Sequence, residues 1–159
     1  MNVVWKYGNF LREFSQRRSS MIDDLKSARR QIIKHLMKIF YYRSFSGSKK
    51  HWIGEIHDFL HESGTLKGSN KKPKKSFIFE YLWEEKKEVF ENNHDKFVRE
   101  LNRNYSGEFY EATPDCNCVK FCRDYMEWLS ERLSVEDFLE YEEVERKIEE
   151  LLKNYPLSS

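Results

Sequence analysis

At 159 residues the chain fits one domain and can bury a core without disulfides or a structural metal. Charged residues make up 35 % of it, but it also carries 12 Phe, 9 Tyr and 4 Trp, which excludes a disordered, highly charged chain. The net charge of +1 hides a split: residues 1–75 hold 17 Lys and Arg against 6 Asp and Glu (net +11), and residues 76–159 hold 11 against 21 (net −10). Such a split serves either a basic surface for an acidic partner or mutual attraction of the two halves within the fold.

Val3, Val4, Tyr7, Phe10, Leu11 and Phe14 make a helical stripe over 3–17. Met21, Ile22, Leu25, Ile32, Ile33, Leu36, Met37 and Phe40 continue the period and predict a helix over 19–42. Ser19 or Ser20 is placed to cap it, with Asp23 and Asp24 in its first turn. Arg43–Ser48 reads as a loop. Trp52, Ile53, Ile56, Phe59 and Leu60 restart the helical spacing over 50–62, and Ser63–Lys75, with Gly64, Gly68 and Pro73, is the longest breaker stretch. A helix over 76–104 follows, with a break or kink at Asn92-Asn93-His94.

After a loop holding Gly107 and Pro114, a short helix is expected over 117–132. Ser134 with Asp137 three residues on resembles a capping box, which starts the last helix at 135 and carries it to 154. No repeat and no convincing strand pattern is present, Phe77-Ile78-Phe79 being the nearest to one. The fold class is therefore all-α: a bundle of five to six helices with mixed connections, a core spanning 3–132 and a charged C-terminal helix over 135–154.

The opening residues lack the basic and apolar regions of a secretory signal, and no apolar run reaches the ~18 residues of a membrane span. Three clustered cysteines are not a secreted disulfide framework. Together these predict a soluble protein of the reducing cytoplasm, with no membrane partner.

The run Ile33-Lys34-His35-Leu36-Met37-Lys38-Ile39-Phe40-Tyr41-Tyr42 resembles the "HLLKxxY" helix end of the bacterial family called domain of unknown function 29. The resemblance continues through Trp52 and Ile56, through Leu60-His61-Glu62-Ser63-Gly64-Thr65-Leu66-Lys67, and through Tyr81 to Pro114-Asp115-Cys116, so that it covers roughly residues 20–130. Gly64-Thr65 stands where that family has Pro-Ser, and the family's N-terminal Tyr-Asp opening is missing. The resemblance implies an all-helical domain and assigns no activity.

Three constellations bear on chemistry. Arg30 and His35, separated by four residues on a helix with Gln31 between them, have the shape of the catalytic pair of the HEPN ribonucleases. There a titrating imidazole moves the proton and a guanidinium steadies the phosphate. Five helical steps rotate the two apart by about 140°, so such a pair works across a dimer. The alternative is a structural His35, part-buried and bonded to a carbonyl or a tyrosine. His57 and His61 stand at i and i+4 on one helix face and are the nearest approach to a metal site, with His51, Glu62, His35 and His94 as possible company. Without a third ligand in the pattern, no metal and no cofactor is expected. Cys116, Cys118 and Cys122 lack the fourth ligand of a closed zinc site and are expected to pack.

The basic residues Arg29, Lys49, Lys50, Lys71, Lys72, Lys74 and Lys75 form the candidate nucleic-acid surface. The functional expectation is a non-enzymatic interaction protein, adaptor or regulatory, with a protein partner or self-association. The alternatives are an RNA- or DNA-binding module using the basic half and a ribonuclease using Arg30 and His35.

Overall fold

The computed structural model describes residues 29–62, 87–136 and 138–158. All the regular structure among them is helical: α1 (residues 29–41), α2 (Ser46–Glu62), α3 (87–92), α4 (His94–Asn104), α5 (Cys116–Val135) and α6 (Tyr141–Asn154). This is the all-α class that the apolar spacing predicts. The expected helix over 3–17, the Ser19/Ser20 cap and the Ser63–Lys75 breaker lie outside the described residues.

One apolar core joins the helices. Ile32, Leu36, Ile39 and Phe40 of α1 meet Ile53 and Ile56 of α2, Phe121, Tyr125 and Leu129 of α5, and Val144 and Ile148 of α6, all essentially without exposure. The α6 stripe lies against both α2 and α5. Burying such a side chain is worth ~1.5–3 kcal/mol, so apolar packing, not charge, seats this acidic helix. Lys49 does reach Glu149 at 2.7 Å, so the charge split is met in part within the chain.

Local chemistry explains the helix ends. α2 begins four residues before its predicted start. Ser46, Gly47 and Ser48 fall in its first turn, where helical N–H groups lack intrahelical partners anyway, and the Phe45 carbonyl accepts from Lys49 N–H at 2.9 Å. Phe45 is anchored on Phe109, with ring centroids 4.7 Å apart. The break expected at 92–94 is present: the Asn93 side chain donates to the Val89 carbonyl at 2.8 Å and competes with the helical ladder. Asp115 caps α5 by accepting from Asn117 N–H at 2.9 Å.

The last two helices differ from expectation. Ser134 lies in the final turn of α5 instead of starting a helix, and α6 begins at Tyr141. Arg132 is the reason. Its guanidinium donates to the Glu136 and Phe138 carbonyls at 3.2 and 3.1 Å and forks the Glu143 carboxylate at 2.8 and 3.2 Å. These bonds go with extended backbone at Glu136 and Glu140, and Leu139 is turned into the core.

The chain end is fastened as well. Arg43 donates to the Leu152 and Tyr155 carbonyls, both at 2.9 Å, and Ser158 N–H donates to Asp115 at 2.8 Å. No described helix is long and apolar enough to cross a membrane.

Candidate functional site

The helical period divides α1 into two faces. Residues 32, 36, 39 and 40 point to the core. Arg30, Ile33, Lys34, Met37 and Lys38 fall on the remaining arc and, with Arg29 from the start of the helix, line a cavity of about 640 Å³. Across it, α3 and α4 contribute Val89, Phe90, Phe97, Glu100 and Leu101, and Tyr105 closes one end. The volume falls within the ~300–1,000 Å³ of ordinary ligand sites.

The floor is apolar and one wall is cationic. Arg30, Lys34 and Lys38 are spaced four apart, one above the other on the same side of α1. Lys38 lies 5.2 Å from the Tyr105 ring centroid and 6.0 Å from that of Trp52, so its charge is held over aromatic faces. Arg29 is buried at the upper edge of the wall. Among the described residues of the lining, Glu100 is the only carboxylate, and no histidine, cysteine or serine is present.

Arg30 and His35 are not brought together. Arg30 is exposed on the cavity wall, whereas His35 is 3 % exposed and points toward α2. Its Nδ1 donates to the Gln31 carbonyl at 2.6 Å, its Nε2 meets the Glu55 carboxylate, and its ring packs edge-on against Phe59. Burial pushes the His35 imidazole below its ordinary value, against the Gln31 carbonyl and Glu55, which favour the charged ring. Burial would raise the Glu55 carboxyl, but His35, His51 at 2.7 Å and Lys38 outweigh it and hold it below the usual range. Both ring nitrogens of His35 are thus engaged within its own chain.

The other predicted residues fall as follows. Lys49 is committed to Glu149, Lys50 is exposed on α2, and Lys71, Lys72, Lys74 and Lys75 lie outside the described residues. The three cysteines are free thiols: Cys118 and Cys122 are fully buried and Cys116 is exposed. Burial pushes the Cys118 thiol well up, which keeps it protonated and unreactive. His57 and His61 turn toward the α5–α6 linker. No three side chains of His, Cys, Asp or Glu converge as a metal cage among the described residues.

Two features escaped the sequence reading. The Arg30/Lys34/Lys38 stripe is marked only by its four-residue spacing, a weaker sequence signal than the lysine-rich loops. The second is a buried polar junction. The Tyr41 hydroxyl accepts from Asp115 N–H at 3.0 Å and bonds His94 Nε2 at 2.8 Å. Burial drives the Tyr41 phenol far above its ordinary value and the His94 imidazole below its own, with Asp95 and Asp115 opposing the latter. No family model, curated protein or solved structure matches the chain.

Proposed function

We propose that this domain is a non-enzymatic interaction module whose α1/α3–α4 cavity receives an acidic, amphipathic protein segment. The observation that carries the reading is the pairing of the Arg30/Lys34/Lys38 wall with an apolar floor in one cavity of about 640 Å³. A helix with apolar residues at i, i+3 and i+4 and carboxylates beside them satisfies both surfaces at once. A lining without imidazole, thiol or serine hydroxyl among the described residues favours binding over catalysis. Three free thiols suit a reducing, cytoplasmic setting. The resemblance to domain of unknown function 29 rests on the motif residues alone and adds no activity.

The test is anisotropy of a labelled Leu/Glu amphipathic peptide with the purified chain. Binding that weakens as salt rises, and that is lost in Arg30→Glu/Lys34→Glu, is expected. A basic peptide of the same pattern should not bind. Failure of the acidic peptide sinks the reading. If a mixed-sequence RNA shifts instead, in a manner dependent on Lys34, the basic wall tracks phosphates and the nucleic-acid alternative replaces it.

A further inference from the structure

His57 and His61 occupy successive turns of α2 and both aim Nε2 at the linker between α5 and α6. The two Nε2 atoms lie 2.8 Å apart, and the Leu139 carbonyl oxygen lies 3.0 Å from one and 2.9 Å from the other. These three atoms make a nearly equilateral triangle, and no placement of protons satisfies all of its edges. If both Nε2 atoms carry hydrogen, both can donate to the carbonyl, but two N–H groups then face each other at 2.8 Å. If only one carries hydrogen, the other turns a lone pair toward the lone pairs of the carbonyl. Charging a ring only places a hydrogen on its own Nε2 and returns one or the other of these conflicts.

A cation above the triangle removes it, because three lone pairs then converge on one positive centre. The dimensions match such an ion. Ligands at about 2.0–2.1 Å that subtend right angles at a metal stand about 2.9 Å from one another, whereas a tetrahedral arrangement spreads them to about 3.3–3.4 Å. The observed edges of 2.8, 2.9 and 3.0 Å fit one face of an octahedral or tetragonal shell. Nitrogen and oxygen donors in that geometry suit Ni²⁺ or Cu²⁺ better than a structural Zn²⁺.

We infer that His57 Nε2, His61 Nε2 and the Leu139 carbonyl form a site for a divalent transition-metal ion of octahedral or tetragonal preference. Water fills the remaining positions. The third protein ligand is a backbone oxygen, which is why no cluster of three metal-binding side chains marks the place among the described residues. Leu139 is 1 % exposed, so its side chain holds the carbonyl in position, and Arg132 fixes the chain before it through Glu136 and Phe138 and after it through Glu143. The bound ion ties α2 to the α5–α6 connection.

The experiment is calorimetric titration of the tag-free full chain with Ni²⁺, followed by hydrogen exchange with and without the metal. One Ni²⁺ per chain is expected, held more tightly than Zn²⁺. His57→Gln and His61→Gln should each weaken it by at least ~10-fold, the least that losing even a supporting group costs at a metal site. Glutamine keeps an N–H donor for the Leu139 carbonyl, so these variants test the metal without emptying the position. His51→Gln, on the same helix but facing Glu55, should bind as wild type does. Exchange should slow in residues 57–61 and in 138–141 together. Absence of saturable binding, or unchanged affinity in either glutamine variant, overturns the site. Slowing confined to α2 removes the carbonyl from the ligand set and overturns the bridge.

Discussion

The Tyr41–His94–Asp115 junction and the His57–His61–Leu139 edge are both built around imidazoles, and they differ in how far the protein itself satisfies them. At the junction, the Tyr41 hydroxyl serves Asp115 N–H and His94 Nε2 at once, all three residues are buried, and Asp115 goes on to cap α5 and hold Ser158. One hydroxyl there links α1, α4, α5 and the chain end. At the edge, three polar atoms crowd within 3.0 Å of one another with no proton arrangement that suits them all. A network tied at one shared hydroxyl specifies a fold even though His94 Nδ1 finds no partner among the described residues, whereas an over-determined cluster of lone pairs near the surface invites a ligand.

The largest effect is expected from breaking the junction. Tyr41→Phe leaves the Asp115 N–H and the His94 nitrogen without their shared partner, at about 2–4 kcal/mol for two buried polar groups. Urea unfolding measures it. Tyr125→Phe is the contrast: the Tyr125 hydroxyl is fully buried with no partner among the described residues, so its removal should cost nothing or stabilise by up to ~1 kcal/mol. Equal losses in the two variants would show that the junction's bonds contribute nothing beyond packing.

Next in size is the support of the edge. Arg132→Ala removes the fork that spans the Glu136 and Phe138 carbonyls and Glu143, at about 1–2 kcal/mol once partial exposure is allowed for. Arg132→Lys should lose most of the same amount, since an ammonium cannot span acceptors arranged for a planar fork. A lysine variant as stable as wild type would show that the charge alone matters.

The helical periods of α1, α2, α5 and α6 were plain in the sequence because each apolar stripe meets the core through local spacing. The boundary between α5 and α6 was not. Ser134 and Asp137 carry a helix-start signal, but Arg132, which reads as one more solvated cation, overrides it through carbonyls and through Glu143 eleven residues away. The cavity wall was half legible, because Arg30, Lys34 and Lys38 share a stripe while Phe97 and Leu101 reach them only through the fold. The Tyr41–His94 bond joins residues 53 positions apart, and the Leu139 carbonyl carries no side-chain signature at all.

A pH series separates the two imidazole sites further. The folded His94 is held below its ordinary value by burial, and protonation would leave a charge whose Nδ1 has no partner among the described residues. Above about pH 6.5 the ring is neutral in folded and unfolded chains alike and adds no pH dependence. As pH falls below that, the unfolded chain takes up the proton first. Stability then drops by up to about 1.4 kcal/mol per pH unit until the folded pKa is reached. His35 is lowered as well and adds loss of the same sign. His94→Gln should therefore show a shallower decline between about pH 6.5 and 5 than wild type, and a parallel decline would place the titrating group elsewhere.

The smallest change is expected at the edge itself. In metal-free buffer, His57→Gln exchanges a crowded imidazole for an amide that still donates to the Leu139 carbonyl and no longer presses a nitrogen against His61 at 2.8 Å. The lost ring contact with Tyr141 works the other way, its centroid lying 6.0 Å from that of His57. The two terms are of similar size, so the net change should stay within about 0.5–1 kcal/mol. That near-neutrality is what distinguishes the edge from the junction. If the imidazoles were there to hold the linker, removing one would cost as much as removing Arg132. If they are there for an ion, the stability difference between His57→Gln and wild type should open only when Ni²⁺ is added, and should grow with its concentration as binding to the folded state requires.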